Sequence, residues 1–254
     1  MRGSLKNKVY TITSAFVLSA FMASCGINNS SLPIISEDIS INSLRLDAHE
    51  LLQKSTDSYK QLKDFTGAVA IADSKTGNPE DTEIGESKFF FKKERKERVE
   101  ITKSSDDKKV GSILVYQGGD KVQILLAKPI PILGKKFTLK VNDKKISTSR
   151  GLAFDQMDMT AMLNRLSKAN VTLNFLGEGI TNNRKTLLLE AVGSFKDLDN
   201  EVTREVVSLD AENFLPVQEE VFVKTKTVLK INVSELKLDV GLKDDTFVLP
   251  NLVR

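Results

Sequence analysis

The run Ser87-Lys88-Phe89-Phe90-Phe91-Lys92 decides the fold. Successive side chains of a strand point to opposite faces. Phe89 and Phe91 therefore share one face, and Phe90 joins Lys88 and Lys92 on the other. The same rhythm of two recurs along the chain. Val122, Ile124 and Leu126 oppose Lys121 and Gln123; Leu187 and Leu189 oppose Glu190; Leu229, Ile231 and Val233 oppose Lys230 and Asn232. Each such strand has one apolar face, which a folded chain must bury.

Working outward, strand-like runs are expected at 65–73, 84–92, 98–102, 110–117, 121–127 and 137–141, then at 171–181, 185–193, 202–209, 217–224 and 228–238. The links between them are mostly short and polar, such as Gly118-Gly119-Asp120 and Asn182-Asn183-Arg184. Links of that size join antiparallel neighbours. The expected class is α+β and mostly β: one large curved antiparallel sheet of about eleven strands, an unclosed barrel, with its apolar face covered by helices.

Two helices are on offer. Leu44, Ala48, Leu51, Leu52, Ser55, Tyr59 and Leu62 recur at helical spacing over 43–63, with Asn42 or Ser43 as the cap. A second helix is expected over 158–169. There Met159, Met162, Leu163 and Leu166 follow i, i+3, i+4, i+7, and Asp155 or Asp158 can cap the start. Beyond the first 24 residues the only methionines are Met157, Met159 and Met162. Methionine adapts to partners of variable shape, acyl chains included, although such a stripe is equally the mark of plain core.

The N-terminus carries a different signal. Residues 1–8 are basic, and 9–21 are mostly apolar but too short to span a bilayer. Met22-Ala23-Ser24-Cys25 follows and resembles the bacterial lipobox, with Met22 where leucine is usual. The resemblance implies a signal peptide over 1–24, a diacylglycerol on Cys25, and cleavage that makes Cys25 the first mature residue. Acyl chains anchor firmly because each buried CH₂ contributes about 0.8 kcal/mol. Gly26, rather than Asp, permits outer-membrane delivery by the sorting rule of Gram-negative cells. Residues 25–42 then read as a lipidated cysteine and a polar tether, with a reach of roughly 20–25 Å. The remaining domain is 43–254.

The layout of 43–254 resembles the LolA/LolB-like fold of bacterial lipoprotein-localisation factors and related lipid-binding lipoproteins. The matching stretches are Lys88-Phe89-Phe90-Phe91-Lys92 to Arg98-Val99-Glu100-Ile101, Leu114-Val115-Tyr116-Gln117-Gly118-Gly119, Phe214-Leu215-Pro216-Val217, and Leu236-Lys237-Leu238 through Gly241-Leu242 to Asp245-Thr246-Phe247. The resemblance implies helices over an apolar cavity. Its expected lining is Phe89, Phe91, Ile124, Leu126, Leu187 and Leu189 from the sheet, with Met159, Met162, Leu163 and Leu166 from the inserted helix. In Lys128-Pro129-Ile130-Pro131-Ile132-Leu133-Gly134-Lys135-Lys136, the side chains of Ile130, Ile132 and Leu133 are candidates to touch a membrane; a loop folded over the barrel end is the competing reading.

Composition narrows the chemistry. The chain has 254 residues, 40% hydrophobic and 28% charged. Three of the 37 basic residues lie in the signal segment, which leaves 34 basic against 34 acidic. A neutral chain gives no reason to expect nucleic acid as a partner. His49 is the only histidine and Cys25 the only cysteine, so Ser-His-Asp, Cys-His, zinc and disulfide chemistry have no residues to work with. His49 falls on the polar side of its helix. The run 92–98 mixes both signs and reads as a solvated hairpin end. No cofactor and no enzyme activity are expected. Two functions remain. One is a membrane-anchored lipoprotein that binds acyl chains or lipoproteins for envelope transport or reception. The other is a non-enzymatic regulatory or structural envelope lipoprotein whose surface binds a protein partner.

Overall fold

The computed structural model describes residues 47–130, 134–196 and 198–250. Cys25, the tether and the expected cap at Asn42 or Ser43 lie outside them, as do Ile132 and Leu133.

Eleven antiparallel strands form one sheet. They are β1 (Asp64–Ser74), β2 (Thr82–Lys92), β3 (Lys96–Ser104), β4 (Ile113–Gln117), β5 (Lys121–Ile130), β6 (Gly134–Lys140), β7 (Val171–Thr181), β8 (Arg184–Gly193), β9 (Arg204–Asp210), β10 (Pro216–Val223) and β11 (Lys226–Leu238). The order is β6-β5-β4-β3-β2-β1-β11-β10-β9-β8-β7. Two meanders, β1–β6 and β7–β11, are thus joined along the β1–β11 pair, where Phe65 faces Leu238 and Asp73 faces Leu229. The edges, β6 and β7, do not meet, so the barrel stays unclosed. Every expected strand is present. Asn182 and Asn183 turn β7 into β8 with φ of 53° and 61°, a left-handed conformation that asparagine tolerates.

The helices are α1 (Ala48–Gln61) and α2 (Met159–Leu166). Ala48, Leu51, Leu52 and Ser55 form the buried stripe of α1. Its cap is Asp47, whose carboxylate accepts from the His49 N–H at 3.0 Å. Asp158 caps α2 by accepting from the Ala161 N–H at 2.7 Å. Leu163 and Leu166 of α2 join Leu51 and Leu52 of α1 and Leu187, Leu189, Val207 and Leu209 of the sheet in one packed cluster. At 1.5 Å per residue α1 spans about 21 Å and α2 about 12 Å. Eleven strands at about 4.8 Å spacing are far wider. The helices therefore fill the inner face over β7–β11, and the inner face of β2–β6 is roofed by the connection between β6 and α2. That connection carries a short 3-10 turn (Phe154–Gln156).

Two sequence readings change here. Phe90 is not on a plain solvent face: with Val115, Leu125, Phe247 and Leu249 it forms a second apolar layer on the outer face. The segment after β11 lies over it. Lys92 Nζ donates to the Leu242 carbonyl at 2.9 Å, Arg98 Nη1 to the Thr246 carbonyl at 3.1 Å, and Gln117 Nε2 to the Phe247 carbonyl at 2.6 Å. Asp64 accepts from the Gly241 and Leu242 N–H groups at 3.1 Å each. The second change is the 128–136 loop. β5 continues through Pro129 to Ile130, and β6 begins at Gly134, with Ile130 paired to Gly134. Proline is tolerated there because the ladder is irregular between Leu125 and Ile130.

Phe247 is fully buried on a face that carries little other apolar cover. Phe247→Ala should lower unfolding stability by about 3–5 kcal/mol, read as a fall in urea midpoint.

Candidate functional site

On the inner face of the sheet lie two apolar hollows, the smaller of about 140 Å³ where β1–β3 meet β10 and β11, and the larger of about 360 Å³ under β1–β6. The smaller is lined by Phe65, Val69, Phe89 and Phe91 of the sheet and by Met157, Met159 and Met162 above. Phe65 and Phe91 stack at 5.0 Å between ring centroids. The larger is lined by Ile101, Leu114, Ile124, Leu126, Phe137 and Leu139, with Ile146, Phe154 and Met157 above.

Of the residues singled out in the sequence, Phe89, Phe91, Met159 and Met162 line the smaller hollow, and Ile124 and Leu126 the larger. Leu163, Leu166, Leu187 and Leu189 line neither; they sit in the packed cluster over β7–β11. The reason is α1, which occupies that half and leaves no space. Phe154 was missed because no periodic run contains it. Ile130 ends β5.

Besides Asp73 of β1, the inner face carries three more buried carboxyls. Glu205 of β9 and Glu219 of β10 face Arg165 of α2. Arg165 Nη2 reaches Glu219 at 2.6 Å and Glu205 at 3.3 Å, while Nη1 donates to the Gln156 carbonyl at 2.9 Å. Burial pushes the Glu205 carboxyl up, Arg165 opposes the shift, and Glu219 adds to it. Arg165 thus faces two carboxyls in a site from which water is excluded. The cluster pins α2 to the sheet.

Glu97 of β3 is the third. It lies in the run expected to be a solvated hairpin end, yet it is only 2% exposed and lines the smaller hollow. Alternation places Glu97 on the inner face with Val99 and Ile101, and the surrounding charges hid that. Burial pushes its carboxyl well up, and the neighbouring Asp158 adds to the shift, with Arg95 opposing. Its Oε1 has no hydrogen-bond partner.

Arg95 is the other correction to that run. Its Nη2 donates to Asp158 at 2.6 Å and to the Asp155 carbonyl at 2.6 Å. Glu94 and Arg95 hold φ of 68° and 60° in the β2–β3 turn. Left-handed backbone costs about 1–2 kcal/mol per ordinary residue. That strain is held where it aims Arg95 at the start of α2. From α1, the Tyr59 hydroxyl bonds Thr160 at 2.8 Å, and burial raises the phenol to about 12. Both ties hold α2 and the roof beside it. Among the described residues no cluster of His, Cys, Asp and Glu could hold a metal ion, and no helix is long and apolar enough to cross a membrane.

Two outcomes follow from these carboxyls. Arg165→Met strands Glu205 and Glu219 without a counter-charge and should cost about 3–5 kcal/mol in chemical denaturation. Adding Glu205→Gln and Glu219→Gln should recover most of it. Glu97 holds its proton more tightly folded than unfolded. Its contribution is complete below the unfolded value of about 4.3 and is lost as pH rises through the higher folded value. Glu97→Gln should therefore flatten the decline in stability above about pH 4.3; equal slopes for both proteins would show that Glu97 titrates normally.

Neither a family profile nor a curated protein matches the sequence. Solved structures are similar to it at low identity. A LolA superfamily protein from Nitrosomonas europaea is 14% identical over 80% of this chain and 97% of that one, with a TM-score of 0.41. The Mycobacterium tuberculosis lipoprotein LppX is 13% identical over 77% of this chain and 97% of that one, with a TM-score of 0.48.

Proposed function

We propose that this chain is a lipid-anchored protein of the bacterial envelope that holds acyl chains in the hollows on the inner face of the sheet. The observation that carries the reading is the asymmetry of the inner face. α1 and α2 pack closely over β7–β9, whereas from β10 and β11 across to β6 the face is lined with aliphatic and aromatic side chains and left partly open. Apolar walls reward an apolar occupant. A buried chain of about 14 CH₂ groups contributes on the order of 10 kcal/mol before ordering costs, enough for binding without any catalytic group.

In this reading Cys25 carries the anchor, and the chain is exported and held at a membrane face, the outer membrane in a Gram-negative cell. Ile130, Ile132 and Leu133 at the β5–β6 end are the residues placed against lipid. The cargo is a lipid or the acyl part of a lipoprotein. Entry requires the roof to lift, and the bonds from Arg95 to Asp158 and Asp155 are the ones that break first, because they lie at the hollow's edge and one partner is half-exposed. The hollows favour this reading over a surface that works only by binding a protein partner, since a partner surface needs no open interior.

Two measurements test it. Labelled palmitate should enter the wild-type chain and not the Cys25→Ala variant. The Cys25→Ala chain, purified from cells without detergent, should release acyl lipid into organic solvent, detected by mass spectrometry. A lipid-free extract would defeat the carrier reading even if Cys25 is acylated.

A further inference from the structure

We infer that Met157 is a movable partition between the two hollows and sets the length of the unbranched alkyl chain that the protein accepts. The inference rests on the acyl-binding reading above. Both hollows share one floor, made by Ile71 of β1, Ser87 of β2 and Val99 of β3. These residues lie on adjacent strands of a continuous sheet, so the floor does not divide them. What they also share is the roof, Phe154 and Met157. The division is therefore made from above.

The two roof residues differ in freedom. Phe154 is buried, packs edge-on against Tyr116 at 6.0 Å, and its N–H donates to the Val141 carbonyl at 3.0 Å. It is the fixed half. Met157 is half-buried and touches both the cluster over β7–β11 and the cluster over β4–β6. Its side chain is unbranched with three rotatable bonds. The next residue, Asp158, caps α2 and is held by Arg95. The side chain can therefore swing while the helix start stays in place.

Space sets the scale. In the liquid one water takes up about 30 Å³. The larger thus has room for roughly twelve waters and the smaller for roughly five. A chain that outgrows the larger hollow must pass beneath Met157 to continue into the smaller.

The test is a titration of saturated monoacylglycerols of increasing chain length against the full chain carrying Cys25→Ala, with Met157→Ala and Met157→Phe added in turn. Each methylene that finds apolar cover should tighten binding by about fourfold. Binding should therefore strengthen with length and then level off. The levelling point should move to longer chains in Met157→Ala and to shorter chains in the bulkier, stiffer Met157→Phe. The same levelling point in all three proteins would overturn the partition while leaving acyl binding intact. No binding at any length to the parent protein would overturn both.

Discussion

Arg165 reaching across to Glu219 and Glu205 is the contact on which the interior depends. An apolar sheet face offers an eight-residue helix many near-equivalent resting places. A guanidinium among buried carboxyls has one, because displacement would leave charges without water or partner, at several kcal/mol each. With α2 fixed there, the residues before it are fixed as well. Arg165 also holds the Gln156 carbonyl, so the same side chain ties down the roof segment that ends in Met157. The hollows exist where they do because this one cation settles where the roof can lie.

The division of the inner face follows from lengths. α1 and α2 are too short to cover eleven strands, and they settle together over β7–β11, where leucine and valine side chains interlock with theirs. Over β3–β6 the sheet presents Leu114, Ile124, Leu126 and Phe137 to a connection with few large side chains of its own. Close packing on one side and open apolar wall on the other arise from a single sequence pattern, met by helices on only one side.

The strands were legible because alternation is strong and the turns are rich in Gly, Asn and Asp. The helical stripes were equally plain, though Asp47 rather than Asn42 or Ser43 caps the first. Less was legible at the site. Glu97 fell in a run read as a solvated hairpin end, and Glu205 and Glu219 gave no signal, since their partner lies on another element; Arg165 sits 40 residues from Glu205 and 54 from Glu219. Phe90 read as an outward side chain among lysines because nothing near it in sequence covers it, and its cover comes from residues 242–249. Leu187 and Leu189 were placed on the correct face, but which stretch of that face stays empty depends on helix length and position, which alternation does not encode.

The pairing of β1 with β11 has a consequence for how the chain is made. β1 is the middle strand, and Phe65 meets Leu238, 173 positions later. The sheet cannot be completed while its final strand is still on the ribosome. Such long-range pairing slows folding, so the polypeptide stays pliable during synthesis.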